Sequence, residues 1–179
     1  MIPAFILSLI STLGSMIFLT KIAASTHTPA APKSLSERAT LEEALIIRFR
    51  KTLLVCSTLF AIAIYFFIAP AAEHSWWIIV AWTMEYIGVI FAAILPAKGK
   101  TFHAHVAAAQ CMGIGMLLLA FAFWKNTTGI GSTIELVLAL IMTTFALLTY
   151  VDKRRYIFHE LIFIYLSHFT IVLAALLIP

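Results

Sequence analysis

RFRKTLLVCSTLFAIAIYFFIAP, residues 48–70, sets three basic side chains immediately before a run without charge, Thr52 to Pro70. A helix needs ~20 residues to cover ~30 Å of hydrocarbon, so this run is long enough to cross a bilayer, and its basic start belongs at a headgroup surface. Five further stretches have the same character: Pro3 to Thr20, Trp76 to Pro96, Ala104 to Trp124, Ile134 to Tyr150 and Ile157 to Ile178. The expected fold is all-α, a polytopic transmembrane bundle of six helices in one domain over residues 1–179.

The basic residues orient these spans. Of the 12 Lys and Arg, only Lys125 lies outside the first, third and fifth gaps. Lys21, Lys33, Arg38, Arg48, Arg50 and Lys51 surround the first, Lys98 and Lys100 the third, and Lys153, Arg154 and Arg155 the fifth. Basic loops stay on the cytoplasmic side, which predicts both termini on the outer side of a prokaryotic plasma (inner) membrane. Met1 to Ser15 has no basic residue and Lys21 follows it, the charge order of a retained, N-out helix rather than a cleaved signal peptide.

Composition excludes other classes. With 63% hydrophobic and 11% charged residues, the chain has far more apolar surface than a soluble core of this length needs. The net charge of +4 sits at helix ends, where anionic headgroups lie, so the partners expected are membrane lipids and not nucleic acid. Cys56 and Cys111 both fall inside apolar spans, which leaves no disulfide framework.

One long cytoplasmic loop, residues 26–46, stands out. Pro29 and Pro32 break any helix in Thr26 to Lys33, and Ser34-x-x-Glu37 and Thr40-x-x-Glu43 both read as capping boxes that restart one. A short interfacial helix is expected there, with Arg48, Arg50 and Lys51 anchoring to phosphates and Lys153, Arg154 and Arg155 doing the same before the last span. Leu35, Ala39, Leu41, Leu45 and Ile46 make no single clean face. Small residues at helical spacing, Ser8, Ser11, Thr12 and Ser15 in the first span and Ala109 and Gly113 in the fourth, predict close helix contacts, within one bundle or between copies in a homo-oligomer. Trp76, Trp77 and Trp124 fall at the outer boundaries, as interfacial anchors do.

Chemistry must come from the few polar groups at membrane depth. Glu85, in Trp82-Thr83-Met84-Glu85-Tyr86, lies near the middle of the third span, where a carboxylate costs on the order of 3 kcal/mol. His168, in Tyr165-Leu166-Ser167-His168, lies near the middle of the sixth. A hydrogen bond between them is the sharpest pairing the sequence offers, and with Tyr86 and Ser167 they form a candidate ligand or proton pathway.

A second group collects at the cytoplasmic helix ends: His103 and His105 open the fourth span, Asp152 closes the fifth, and His159 and Glu160 open the sixth. Imidazole and carboxylate suit zinc. Residues two apart on a helix point about 200° from one another, however, so His103 and His105 share an ion only if the helix starts between them. Haem held by His105 and His159 on facing helices is a second cofactor option. Retinal is disfavoured, because the last span has no Lys for a Schiff base. Asn126-Thr127-Thr128 matches a glycosylation acceptor but abuts Trp124 at the membrane edge, as a chance match does.

Ile94-Leu95-Pro96-Ala97, the short basic gap after it and His103, together with Ser34-Leu35-Ser36-Glu37, resemble a six-helix membrane family of uncharacterised function related to the Frag/DRAM/Sfk group. That family usually carries Gly just before the apolar-Pro pair, where this chain has Ala92, Ala93 and Ile94 after Gly88. The resemblance implies a six-helix bundle with a lipid-linked or sensory role and no established catalytic residues. The histidines are also similar in number to those of alkaline ceramidases, but those pair histidines four residues apart, a spacing this chain lacks. The function expected is binding or moving a lipid or other small hydrophobic molecule, proton-linked through Glu85 and His168. The alternatives are a metal-dependent intramembrane enzyme acting on a lipid at His103, His105, His159 and Asp152, and a small subunit of a larger membrane complex.

Overall fold

The computed structural model describes residues 1–24 and 34–178; the helix-breaking reading of Thr26 to Lys33 lies outside them. Among the described residues the chain is helical, without strands. Six helices are long and apolar enough to cross a membrane: α1 (Ile2–Ala24), α3 (Glu43–Ala71), α4 (Trp76–Ile94), α5 (Phe102–Asn126), α6 (Gly129–Val151) and α7 (Tyr156–Leu177). The short α2 (Leu35–Ala39) lies between the first two. The chain is a multi-pass membrane bundle, as its apolar runs predict.

Several boundaries move outward from those read in the sequence. The helix expected over Ile134 to Tyr150 starts at Gly129. Hydropathy marks the apolar run, whereas the backbone continues the helix until its amides and carbonyls meet water or a turn. Within α3, Ile64–Ile68 widens into a π-turn in which the Ala69 amide donates to the Ile64 carbonyl. Pro70 follows directly and has no N–H to give, and the extra residue in the turn accommodates it without ending the helix.

Packing partners define a closed ring. α1 packs on α3, α3 on α4, α4 on α5, α5 on α7 and α7 back on α1, while α6 leans on the outside against α5 and α7. Only 17% of the apolar window of α6 is buried, against 33% or more for every other span, so α6 is the most exposed member of the bundle. Its Val137, Leu140 and Leu147 are exposed, as they should be toward acyl chains.

The closest approach is between α4 and α5. A Cβ placed on Gly88 would lie 2.5 Å from the Met112 backbone nitrogen, and one on Gly115 would lie 2.5 Å from that of Glu85. Two glycines thus let the backbones touch, which is how helices gain packing where lipid removes the hydrophobic drive. Of the small residues expected to make close contacts in this span, Gly113 does not: a Cβ on it meets nothing nearer than Phe163, at 4.0 Å. In α1 the expected stripe is right: Ser8, Ser11, Thr12 and Ser15 are all buried, and Ser11 donates to the Cys56 carbonyl of α3 at 2.8 Å.

Charged and aromatic ends separate as predicted. Arg48, Lys51, Lys153, Arg154 and Arg155 are exposed at the end where α1 finishes and α7 begins. Arg50, partly buried there, donates to the Ile94 carbonyl at 3.3 Å. At the opposite end Trp76 and Trp77 are exposed and stacked 3.7 Å apart, and Lys125 lies over the Trp124 ring.

The short helix α2 forms where one was expected, with one of the two expected caps. Ser34 caps it, its Oγ accepting from the Glu37 amide at 3.2 Å, so the first capping box holds. The second does not form: Thr40 closes α2 by donating to the Glu37 carbonyl, and α3 starts after Glu42 without a side-chain cap. α2 packs against α1 and α3. Leu35 and Ala39, one turn apart, are buried at 2% and 0% exposure, and Arg38 donates to the Ala23 carbonyl at the end of α1. Leu41 stays outside at 52% exposure, which is why the loop's apolar residues show no common face.

Candidate functional site

The helix ring holds a pocket that opens to the surface. α1, α2, α3, α4, α5 and α7 line it, and α6 contributes nothing among the described residues. Its middle is apolar, with Leu19, Phe49, Leu53, Met112, Met116 and Ile164. Its ionisable groups gather at two levels. Glu85 stands nine residues from the Ile94 end of α4 and His168 twelve from the Tyr156 end of α7, roughly 14 and 18 Å along the helix axes. His105 and Glu160 line the basic end, about 5–6 Å in by the same count.

Glu85 and His168 therefore share one pocket, but the expected hydrogen bond between them is not made. His168 Nδ1 lies 2.8 Å from Ser15 Oγ of α1, and the imidazole packs against Phe60 with ring centroids 4.8 Å apart. Glu85 is 2% exposed and its Oε2 is enclosed without a hydrogen-bond partner among the described residues. The reason is local: Ser15 reaches the imidazole first, from the polar stripe of α1. Tyr86 and Ser167 do not line the pocket. Tyr86 sits 3.3 Å from Thr58 on α3 through their hydroxyls, and Ser167 is buried with its hydroxyl unpartnered among the described residues.

Partner chemistry bears on the histidine tautomers. The one Ser15 Oγ proton has two acceptors in reach, the Thr12 carbonyl at 3.0 Å and His168 Nδ1 at 2.8 Å; when Thr12 takes it, His168 Nδ1 is the donor to Ser15. His105 Nδ1 lies 2.7 Å from the Leu95 carbonyl, which only accepts, so there Nδ1 is the donor. A neutral imidazole with its proton on Nδ1 keeps Nε2 as an acceptor. Glu160 accepts the Leu35 amide at 2.9 Å, tying α7 to the start of α2.

The proposed metal group does not assemble. His159 Nε2 and Asp152 Oδ2 come together at 3.4 Å, His105 is committed to Leu95, and His103 is exposed on the bundle surface. Among the described residues no three His, Cys, Asp or Glu side chains converge as metal ligands would. His103 and His105 diverge because α5 is already helical from Phe102, which leaves the pair two residues apart on a continuous helix. The Asp152 carboxylate instead organises the α6–α7 turn, accepting from His159 and from the Arg154 and Arg155 amides. The His159 hydrogen bond foremost holds its carboxyl below the usual carboxylate range. The support this gives the turn is present above the ordinary carboxylate pKa and fades as the pH falls through the lowered value.

Glu135 was missed in the sequence. It is fully buried, and both carboxylate oxygens lack partners among the described residues. A span taken to begin at Ile134 left it at the edge, but with α6 starting at Gly129 it lies in the second turn. An unpaired carboxylate there costs stability, so Glu135→Leu is expected to stabilise the bundle by about 1 to 3 kcal/mol. Thermal unfolding in detergent checks this, and a lowered melting temperature would show that the carboxylate has a stabilising partner. Comparison with protein-family models, with curated proteins and with solved structures finds no match to this chain.

Proposed function

We propose that this protein binds, and moves between membrane environments, a lipid or other small hydrophobic molecule held in the pocket, with Glu85 and His168 linking occupancy to a proton. One observation carries the reading: a largely apolar cavity inside the bundle has an unpartnered, 2%-exposed carboxylate in its wall. Intramembrane carboxylates persist where function needs them, since their charge has to be balanced by a proton or by a bound group. Apolar walls with a few convergent polar groups are the usual make-up of a small-molecule site. On this reading the basic end faces the cytoplasm and both termini lie outside. The lipid-linked role implied by the resemblance around Ile94-Leu95-Pro96-Ala97 is of the same kind. The metal-enzyme reading has no comparable support, because its ligands are spread over separate partners.

Native mass spectrometry of the protein taken gently from its own membrane tests this. The expected result is a co-purifying hydrophobic molecule in the wild type that is lost in Ala109→Phe, which fills the pocket from α5. An adduct spectrum unchanged by that substitution, in a variant that still elutes as a folded species, would contradict the proposal.

A further inference from the structure

The acid–base inventory of the pocket is one-sided. Glu85, His105, Glu160 and His168 line it, and among the described residues no Lys or Arg does. The two carboxylates present acceptors, and Nδ1 of each histidine is engaged, with Ser15 and with the Leu95 carbonyl, which leaves Nε2 of each without a partner among the described residues. Glu160 already accepts an amide, and Glu85 makes no hydrogen bond among the described residues although it is 2% exposed. The donors left to the pocket are weak and neutral, such as the Ser57 hydroxyl and the Cys56 thiol. Phe49 and Phe60 add aromatic rings to the wall.

Such a site is matched by a ligand that donates hydrogen bonds and carries positive charge. We infer that the molecule held in this pocket is a lipophilic amine, whose ammonium head is bound between the Glu85 carboxylate and His168 Nε2 while its apolar body lies along Met112, Met116 and Leu53. A carboxylate or phosphate head would meet two carboxylates with no counter-charge and two lone pairs, a repulsive arrangement. A neutral alcohol supplies one donor and leaves the carboxylate charge unbalanced. An ammonium supplies up to three donors, neutralises Glu85 at a depth where lone charge is costly, and is attracted by neighbouring aromatic faces. This inference rests on the pocket-binding reading above and adds the charge class of the ligand.

The test is scintillation-proximity binding of radiolabelled decylamine to the purified full-length protein in detergent, with decanol and decanoate as competitors of equal chain length. Decylamine is expected to bind, the two competitors to displace it at least 10-fold less well than unlabelled decylamine, and Glu85→Gln to weaken binding at least 10-fold while Glu85→Asp retains it. The competitor series uses the wild type alone, so it stands if a variant fails to fold. Decanol or decanoate competing as well as decylamine, with Ala109→Phe abolishing all binding, would overturn the amine preference and leave the pocket reading intact. Decylamine binding that survives both Glu85→Gln and Ala109→Phe would place the amine elsewhere and overturn the inference. No binding of any of the three, together with no co-purifying molecule in native mass spectrometry, would overturn both readings at once.

Discussion

Replacing Gly115 with alanine is expected to cost about 3 kcal/mol, and with valine to prevent α4 and α5 from assembling at all. The added Cβ would lie 2.5 Å from the nitrogen, 2.7 Å from the Cα and 2.8 Å from the Cβ of Glu85. All three atoms are fixed by the α4 backbone, so no side chain can turn aside and the helices must part. Overpacking a close-packed interior costs ~1–3 kcal/mol where neighbours can yield, and here they cannot. The effect on the site is as large as the effect on stability, because the helix that moves is the one carrying the carboxylate. Gly113→Ala on the same helix is the control: its Cβ would meet only Phe163, at 4.0 Å, so a change within about 0.5 kcal/mol is expected. Thermal unfolding in detergent with size-exclusion chromatography separates the cases. Equal stability of the Gly115 and Gly113 variants would show that the α4–α5 contact is looser than described.

Phe60→Ala is the second large effect. Phe60 is 1% exposed and joins two parts of the bundle, edge-on to Trp82 at 6.1 Å and tilted over His168 at 4.8 Å. Truncating a buried Phe costs ~3–5 kcal/mol, most of it lost packing. The low end, about 3 kcal/mol, is expected here because part of the ring faces the pocket and not packed atoms. The enlarged pocket also leaves His168 held only through Ser15, so ligand affinity should fall with stability, whereas Phe60→Leu should keep most of the stability and lose the aromatic contact alone. Full thermal stability of Phe60→Ala would contradict the packing described.

The membrane class was legible because it is written in long-range composition: apolar runs long enough to span, with charges sorted into alternate gaps. Lipid forces backbone pairing within each span, which makes helix the outcome of any such run. The site was only partly legible. Depth along a helix can be counted, so Glu85 and His168 were found. The face a residue presents depends on which helices neighbour it, and that order is not written in hydropathy. Hence nothing in the sequence marks Ser15 as the partner of His168, and Tyr86 and Ser167, expected in one ligand or proton pathway with Glu85 and His168, fall outside the pocket lining. Gly88 and Gly115 were overlooked for a related reason, since only contact across two helices tells a glycine that admits a neighbouring backbone from one such as Gly113 that does not. The burial of α2 rests on the Leu35 amide reaching Glu160, a contact across 125 positions that no local pattern announces.

On the proposed function, the pocket lined by α1 to α5 and α7 is an occupied binding site and not idle space. The decisive measurement is an experimental density map of the protein extracted with its native lipids. The expected result is an elongated feature beside Met112 and Met116 whose polar end meets Glu85 and His168. A map in which the pocket has collapsed, with Glu85 hydrogen-bonded to His168 across it, would overturn the proposal.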